Sequence, residues 1–311
     1  MIFINPKTDF AFKKIFGSEQ SRDILISFLN GILYAGQSTI QDLEILNPYQ
    51  APRIRGVKDT YLDVKAQLST GEAVIIEMQV LNVEGFEKRI LYNAAKAYSI
   101  QLSAGQSYPL LNPVIALTIT DFEMFPEIDA VISRFVLKEK DYLIDYLIHD
   151  LELVFVELPK FQKPLEALTS LTDKWIYFLQ NARDLSVVPD IMGTVSAIQQ
   201  AFEIANQANL TREELEELEH QLIFIQDQRG AITKATKQGL QQGLQEGLQQ
   251  GLQEGLQQGL QQGLQQGRKE AQLETARRSL AFLDDAAISQ ITGLSVEEIS
   301  DLRRSDFTVS G

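Results

Sequence analysis

Apolar positions at helical spacing open the chain: Phe12, Ile15 and Phe16, then, after a pause at Gly17 and Ser18, Ile24, Leu25, Phe28 and Leu29. They predict helix from Asp9 to Leu33, weakened near its end by Gly31. The pattern then shortens to alternation. Leu43 to Leu46, Tyr61 to Leu68 and Ala73 to Val80 read as strands, and Ser69, Thr70, Gly71 and Glu72 between the last two predict a hairpin. Phe86, Ile90, Ala94, Ala97 and Ile100 return to helical spacing within Gly85 to Leu102. Pro113 to Thr120 and Leu151 to Leu158 are strand-like, and Pro164 to about Arg229 is helical with a boundary near Pro189. Strands leading into helices and back predict one α/β domain ending near residue 230.

Beyond it the pattern changes character. From Gly239 to Gly267 the sequence repeats Gly-Leu-Gln-x with period four, giving eight glycines and seven leucines. Each interior glycine costs about 1 kcal/mol of helix propensity. A residue every four nevertheless drifts only about 40° per repeat on a helix, so the leucines make an apolar stripe beside a small-residue stripe. Two readings stay open: a helix that needs a partner, and a low-complexity linker lengthened by repeat slippage. The recurring glutamines argue against membrane insertion. Asp284 to Arg304 contains two short helical patterns around Thr292, Gly293 and Leu294, with Ser295 and Glu298 spaced as a capping box. Glu297 and Glu298 stand where a helix-turn-helix would place base-reading residues, which favours a plain helical hairpin.

The chain has 311 residues, 44% of them hydrophobic, enough for one sizeable core and an appendage. It contains no cysteine, so thiolate metal sites and cysteine nucleophiles are excluded, and His149 and His220 lack metal-ligand spacing. A metal would need oxygen ligands. No apolar run reaches the ~20 residues of a membrane span and the N-terminus lacks a signal-peptide pattern, so a cytoplasmic location is expected. The net charge of −14 argues against a general nucleic-acid binder, but residues 1–120 balance 11 basic against 11 acidic side chains, whereas residues 121–227 carry 8 against 21.

The balanced part holds the candidate chemistry. In Tyr61-Leu62-Asp63-Val64-Lys65 and Val74-Ile75-Ile76-Glu77-Met78-Gln79-Val80, alternate residues share a strand face. Asp63 and Lys65 should therefore point together, as should Glu77 and Gln79, with Leu62, Val64, Ile76 and Met78 facing the core. Two carboxylates meeting across a hairpin would suit Mg²⁺, with Mn²⁺ as the alternative. A solvated, purely structural acidic face accounts for the same spacing.

Asp63 with Glu77-Met78-Gln79 resembles the PD-(D/E)XK nuclease signature, in the Rpn-type recombination-promoting nuclease and putative transposase branch. The resemblance spans roughly residues 5–125. It includes Thr8-Asp9-Phe10-Ala11-Phe12-Lys13-Lys14-Ile15-Phe16-Gly17, Phe86-Glu87-Lys88-Arg89-Ile90-Leu91-Tyr92, Tyr98 and Gln101. It implies an α/β restriction-endonuclease-like core (helix, three strands, helix, strand), followed by a helical region and a repetitive helical tail. The expected divisions are a nuclease-like core at 1–160, a helical extension at 161–237, the repeat at 238–270 and a helical hairpin at 271–311. It also implies that Asp63 and Glu77 ligate the metal, joined by Asp9 as a ligand or a partner of the ligands unless Asp9 is a helix cap, and that Gln79 stands at the usual lysine, with Lys65 either a substitute cation or an ordinary surface lysine. Lys13, Lys14 and Arg89 are then placed for DNA phosphates or are ordinary helix-surface charges, and Tyr92 and Tyr98 for packing.

The expected function is a Mg²⁺-dependent DNA endonuclease, promoting recombination or transposition. The alternative is a non-catalytic DNA-binding or self-assembly module, with the repeat tail as a homo-oligomer contact and no membrane partner. A third reading, a protein recruiter built on the acidic run Thr211 to Glu219, rests on charge alone, which a solvated helix face explains.

Overall fold

A computed structural model describes residues 1–50 and 60–309, side chains beyond residue 305 excepted. Two compact units divide at Gly230.

In the first unit, helices α1 (Asp9–Phe16) and α2 (Arg22–Leu33) precede strands β1 (Leu43–Leu46), β2 (Tyr49–Gln50), β3 (Thr60–Tyr61), β4 (Val64–Leu68) and β5 (Ala73–Gln79). Helix α3 (Phe86–Ser99) leads to β6 (Val114–Thr120), β7 (Ile132–Phe135) and β8 (Leu151–Glu157). Helices α4 (Leu171–Asn181), α5 (Asp190–Gly193) and α6 (Ser196–Ala205) follow, and then α7 (Arg212–Ser279), which continues into the second unit. Among the described residues a mixed six-stranded sheet runs β1-β4-β5-β6-β8-β7, and β2 pairs β3 separately.

Both faces of this sheet are covered, which is why its centre is apolar throughout. Strand β6 is parallel to β5 and to β8, and all seven of its residues are buried. One face packs on α1, α2, α4 and α6 through Phe12, Phe16, Phe28, Trp175, Phe178 and Phe202. The other packs on α3 through Ala94 and Ala97, with Phe86 and Ile90 beside Phe155. Helix α3 is thus the crossover that a parallel β5–β6 pair requires.

The expected hairpin forms, with β4 antiparallel to β5 and Val64 opposite Ile76. The long strand expected from Tyr61 does not. It breaks at Leu62 and Asp63, because Leu62 packs with Ile75 on the α3 side while Val64 packs on the opposite face. Strand β7, and the β2–β3 pair apart from Tyr61, lie outside the expected strands.

Gly31 does not end its helix. It lets Trp175 approach: a Cβ there would lie 3.0 Å from Trp175 Cδ1 and 3.3 Å from Leu171 Cγ. Trp175 is fully buried against the rings of Phe16, Phe28 and Phe178 and cannot yield. Gly31→Ala is therefore expected to destabilise by about 1 kcal/mol, overpacking of 1–3 kcal/mol exceeding the ~1 kcal/mol gain in helix propensity. In the repeat, a Cβ at Gly251 or Gly255 would meet nothing. Alanine there should raise helicity, and thermal denaturation of the full chain followed by circular dichroism reads both signs.

The second unit contains the rest of α7, α8 (Asp285–Thr292) and α9 (Val296–Val309), joined around Ala276, Ile288, Leu294 and Ile299. Gly293 adopts φ +72° as the C-cap of α8, and Ser295 and Glu298 form the expected capping box. Helix α7 runs through the whole repeat, and Leu240 to Leu264 at every fourth position are 64–76% exposed. No helix among the described residues is long and apolar enough to cross a membrane.

Candidate active site

Strand β5 and helix α3 meet along a two-against-four register. Alternate β5 residues Ile75, Glu77 and Gln79 advance roughly 6.8 Å per step, and α3 residues four apart advance roughly 6 Å, so the two rows keep pace. Ile75 packs with Ala97, Glu77 meets Asn93 and Gln79 meets Arg89. The Asn93 side-chain amide donates to Glu77 Oε1 at 2.5 Å, and Arg89 Nη2 donates to Gln79 Oε1 at 2.7 Å. Gln79 Nε2 donates to the Leu81 carbonyl at 2.7 Å, so both ends of its amide are engaged.

Among the described residues Glu77 Oε2 is buried without a hydrogen-bond partner, and the nearest cation, Arg89 Nε, is 3.9 Å away. Burial pushes the Glu77 carboxyl up, against the opposing pull of Arg89 and the Asn93 hydrogen bond.

Asp63 occupies the bend before β4. The Val64–Ile76 pairing is the last rung before that bend, and Asp63 Oδ2 accepts the backbone N–H of Met78, the residue after Glu77, at 2.7 Å. Its Oδ1 lies 3.5 Å from Lys13 Nζ, which is closer to Asp9 at 2.6 Å. Burial, and then a hydrogen bond shared with Asp9, push the Asp63 carboxyl up to about 7.

Asp63 therefore holds its proton in the folded chain between pH 3.8 and about 7, where the unfolded chain has released it. The folded state binds more protons, so stability falls as pH rises through that window. Asp63→Asn is expected to raise the unfolding temperature at pH 8, the gain shrinking toward pH 4; a gain independent of pH would remove Asp63 as its source.

The other expected site residues divide. Asp9 lies in the first turn of α1, half-exposed and bound to Lys13; the cap is Thr8, whose Oγ1 accepts from the Ala11 N–H. Asp9 does not complete a three-ligand set, since among the described residues no group of three or more acids or histidines could hold an ion. Lys14 is engaged by Glu214 on α7. Lys65 pairs in register with Ile75, which places it on the Glu77 face; it is half-buried, has no ionic partner among the described residues, and burial lowers its pKa. Tyr98 donates to Asp150, and the Gln101 amide bonds the Asn112 backbone in both directions, so both tie α3 to its surroundings. Asn93 was missed in the sequence, although Arg89, Asn93 and Ala97 at intervals of four against Gln79, Glu77 and Ile75 are the signal that finds it. Beside Gln79 a cavity of about 400 Å³ is lined by Lys7, Asp9, Arg89, Phe224 and Gln228.

A family model described as PD-(D/E)XK nuclease family transposase matches residues 6–235, and the chain belongs to that family. No curated protein and no solved structure shows significant similarity to it.

Proposed function

We propose that the protein is a divalent-metal-dependent DNA endonuclease in which Asp63 and Glu77 hold Mg²⁺ or Mn²⁺. The observation that carries this is Glu77 Oε2, a buried carboxylate oxygen without a hydrogen bond, on the strand beside a second buried acid. A buried carboxylate oxygen without a hydrogen bond is costly, and a cation shared with the neighbouring Asp63 would complement it. The donor set fits Mg²⁺, which accepts one or two carboxylates and completes its shell with water and substrate phosphate. When bound, the ion would supply an acidified water and neutralise charge on the phosphate.

The chain's own residues then have distinct tasks. Asn93 and the Met78 N–H hold the two carboxylates in place from behind. Lys65, a half-buried cation without an ionic partner, takes the part of the lysine that Gln79 does not provide and faces the phosphate. Lys13 and Arg89 lie next to the acids and contact flanking phosphates. Asp63 would have to lose its proton to ligate a cation, so cleavage should rise with pH through about 7.

The runner-up is a non-cutting DNA-binding or assembly module, favoured by one observation: Gln79, at the lysine position, brings no charge and has both ends of its amide tied to Arg89 and Leu81. Supercoiled plasmid incubated with Mg²⁺, Mn²⁺ or chelator separates the two. The proposal expects metal-dependent nicking that disappears in the Asp63→Ala, Glu77→Ala double variant. Cleavage surviving that double change, or folded protein that binds DNA and never cuts, would transfer the assignment to the module.

A further inference from the structure

Between β7 and β8 the chain makes a short ribbon whose sequence, Tyr142-Leu143-Ile144-Asp145-Tyr146-Leu147-Ile148, nearly repeats itself. The Glu139 N–H donates to the Ile144 carbonyl at 2.8 Å and the Tyr146 N–H to the Leu137 carbonyl at 3.0 Å. Lys138 bridges Asp145 at 2.7 Å. Leu143 takes φ +56°, a conformation unfavourable for a branched residue, and Glu139 Oε2 holds the turn by accepting the Asp141 and Tyr142 N–H groups. The ribbon is thus tied together by its own hydrogen bonds, yet it does not bury its side chains. Tyr142 is 81% exposed and Leu147 94%, and Leu143, Ile144, Tyr146 and Ile148 are each at least half exposed.

We propose that this ribbon is the contact through which two copies of the chain associate. Its six large apolar side chains, each at least half exposed, together expose on the order of several hundred Å², the scale at which apolar patches mark protein contacts. Charge selects the occupant. Lys138 and Lys140 alternate with Glu139, Asp141 and Asp145, and Asp150 follows, so the ribbon is mixed in sign and net acidic. The ribbon offers an anionic membrane or a nucleic acid no basic face, Lys138 being paired with Asp145, whereas a two-fold contact can set Lys140 of one ribbon against the acidic positions of the other. The ribbon also grows from β7, which ends the sheet and leaves an edge beside it for a partner strand. The inference does not depend on the nuclease assignment.

The absence of cysteine makes the test direct. Full-length protein carrying Leu147→Cys is oxidised with copper-phenanthroline beside a Val187→Cys control, Val187 being 66% exposed elsewhere on the same unit. Sedimentation equilibrium of Leu147→Asp accompanies it; that side chain touches so little of the fold that the variant should stay native by circular dichroism. The expected result is a disulfide-linked dimer from Leu147→Cys alone, and loss of the wild-type dimer in Leu147→Asp. A wild type that stays monomeric at every concentration, or cross-linking no greater than at Val187, overturns the proposal. So does an oligomer that Leu147→Asp leaves intact, since association would then lie elsewhere, as along the exposed leucines of α7.

Discussion

Glu77→Gln is expected to reduce metal-dependent nicking by about 10³-fold, a loss of ~4 kcal/mol of transition-state stabilisation, while leaving the metal-free chain at least as stable as the wild type. The two halves of this expectation have one physical source. Glu77 is ionisable, buried and poorly matched: Asn93 satisfies one oxygen and the other has no hydrogen-bond partner. Glutamine keeps the acceptor for Asn93 and removes the charge, so the folded state no longer carries an incompletely paired carboxylate. A residue retained at a cost to stability is what a ligand site requires. Plasmid nicking and thermal denaturation in chelator, measured on the same preparation, read both halves. A variant that loses more than about 1 kcal/mol of stability would make Glu77 a structural residue and undercut the metal assignment.

The β4–β5 hairpin that carries Glu77 was legible because it depends only on turn residues and on a period of two, both of which short-range sequence carries. Strands β5 and β6 and helix α3 were legible for the same reason: each is long enough to show its period. Other features depend on chain segments far apart in sequence. Leu62 packs beneath Ala94 and Ala97, so the strand bends at Asp63 and its carboxylate turns to the Met78 N–H instead of continuing the alternation. Gly31 reads in the sequence only as a weak point near the helix end, and Trp175, 144 positions later, supplies the reason for a missing side chain. Likewise Lys14, one residue from Lys13 and equally basic, is drawn to Glu214 of α7 while Lys13 pairs with Asp9 beside Asp63. The ribbon at 137–148 was invisible for a different reason. Its apolar run is what a buried strand would show, and only tertiary structure reveals that nothing covers it.

Lys160→Met is expected to destabilise the first unit by about 3–5 kcal/mol, the usual consequence of removing one member of a buried ion pair. Lys160 Nζ donates to Glu157 Oε2 at 2.6 Å and to the carbonyls of Phe125 and Ile128 at 2.7 and 2.6 Å; the Glu157 side chain is fully buried. Glu157 Oε1 in turn accepts the backbone N–H groups of Met124 and Phe125, the latter at 3.0 Å. The pair therefore fastens the 124–128 loop to the end of β8, and with it the aromatic cluster of Phe125, Phe135 and Phe155. Methionine fills the space of the lysine stem but leaves an uncompensated carboxylate and two unbonded carbonyls. Adding Glu157→Gln should recover a large part of the loss, because the amide oxygen can still accept from the loop N–H groups and no charge is stranded. Chemical denaturation of the two single variants and the double variant measures the coupling. Recovery by the second substitution would locate the cost in the stranded charge. An additive double variant would locate it in the lost carbonyl contacts, making the lysine a loop anchor whose charge is incidental.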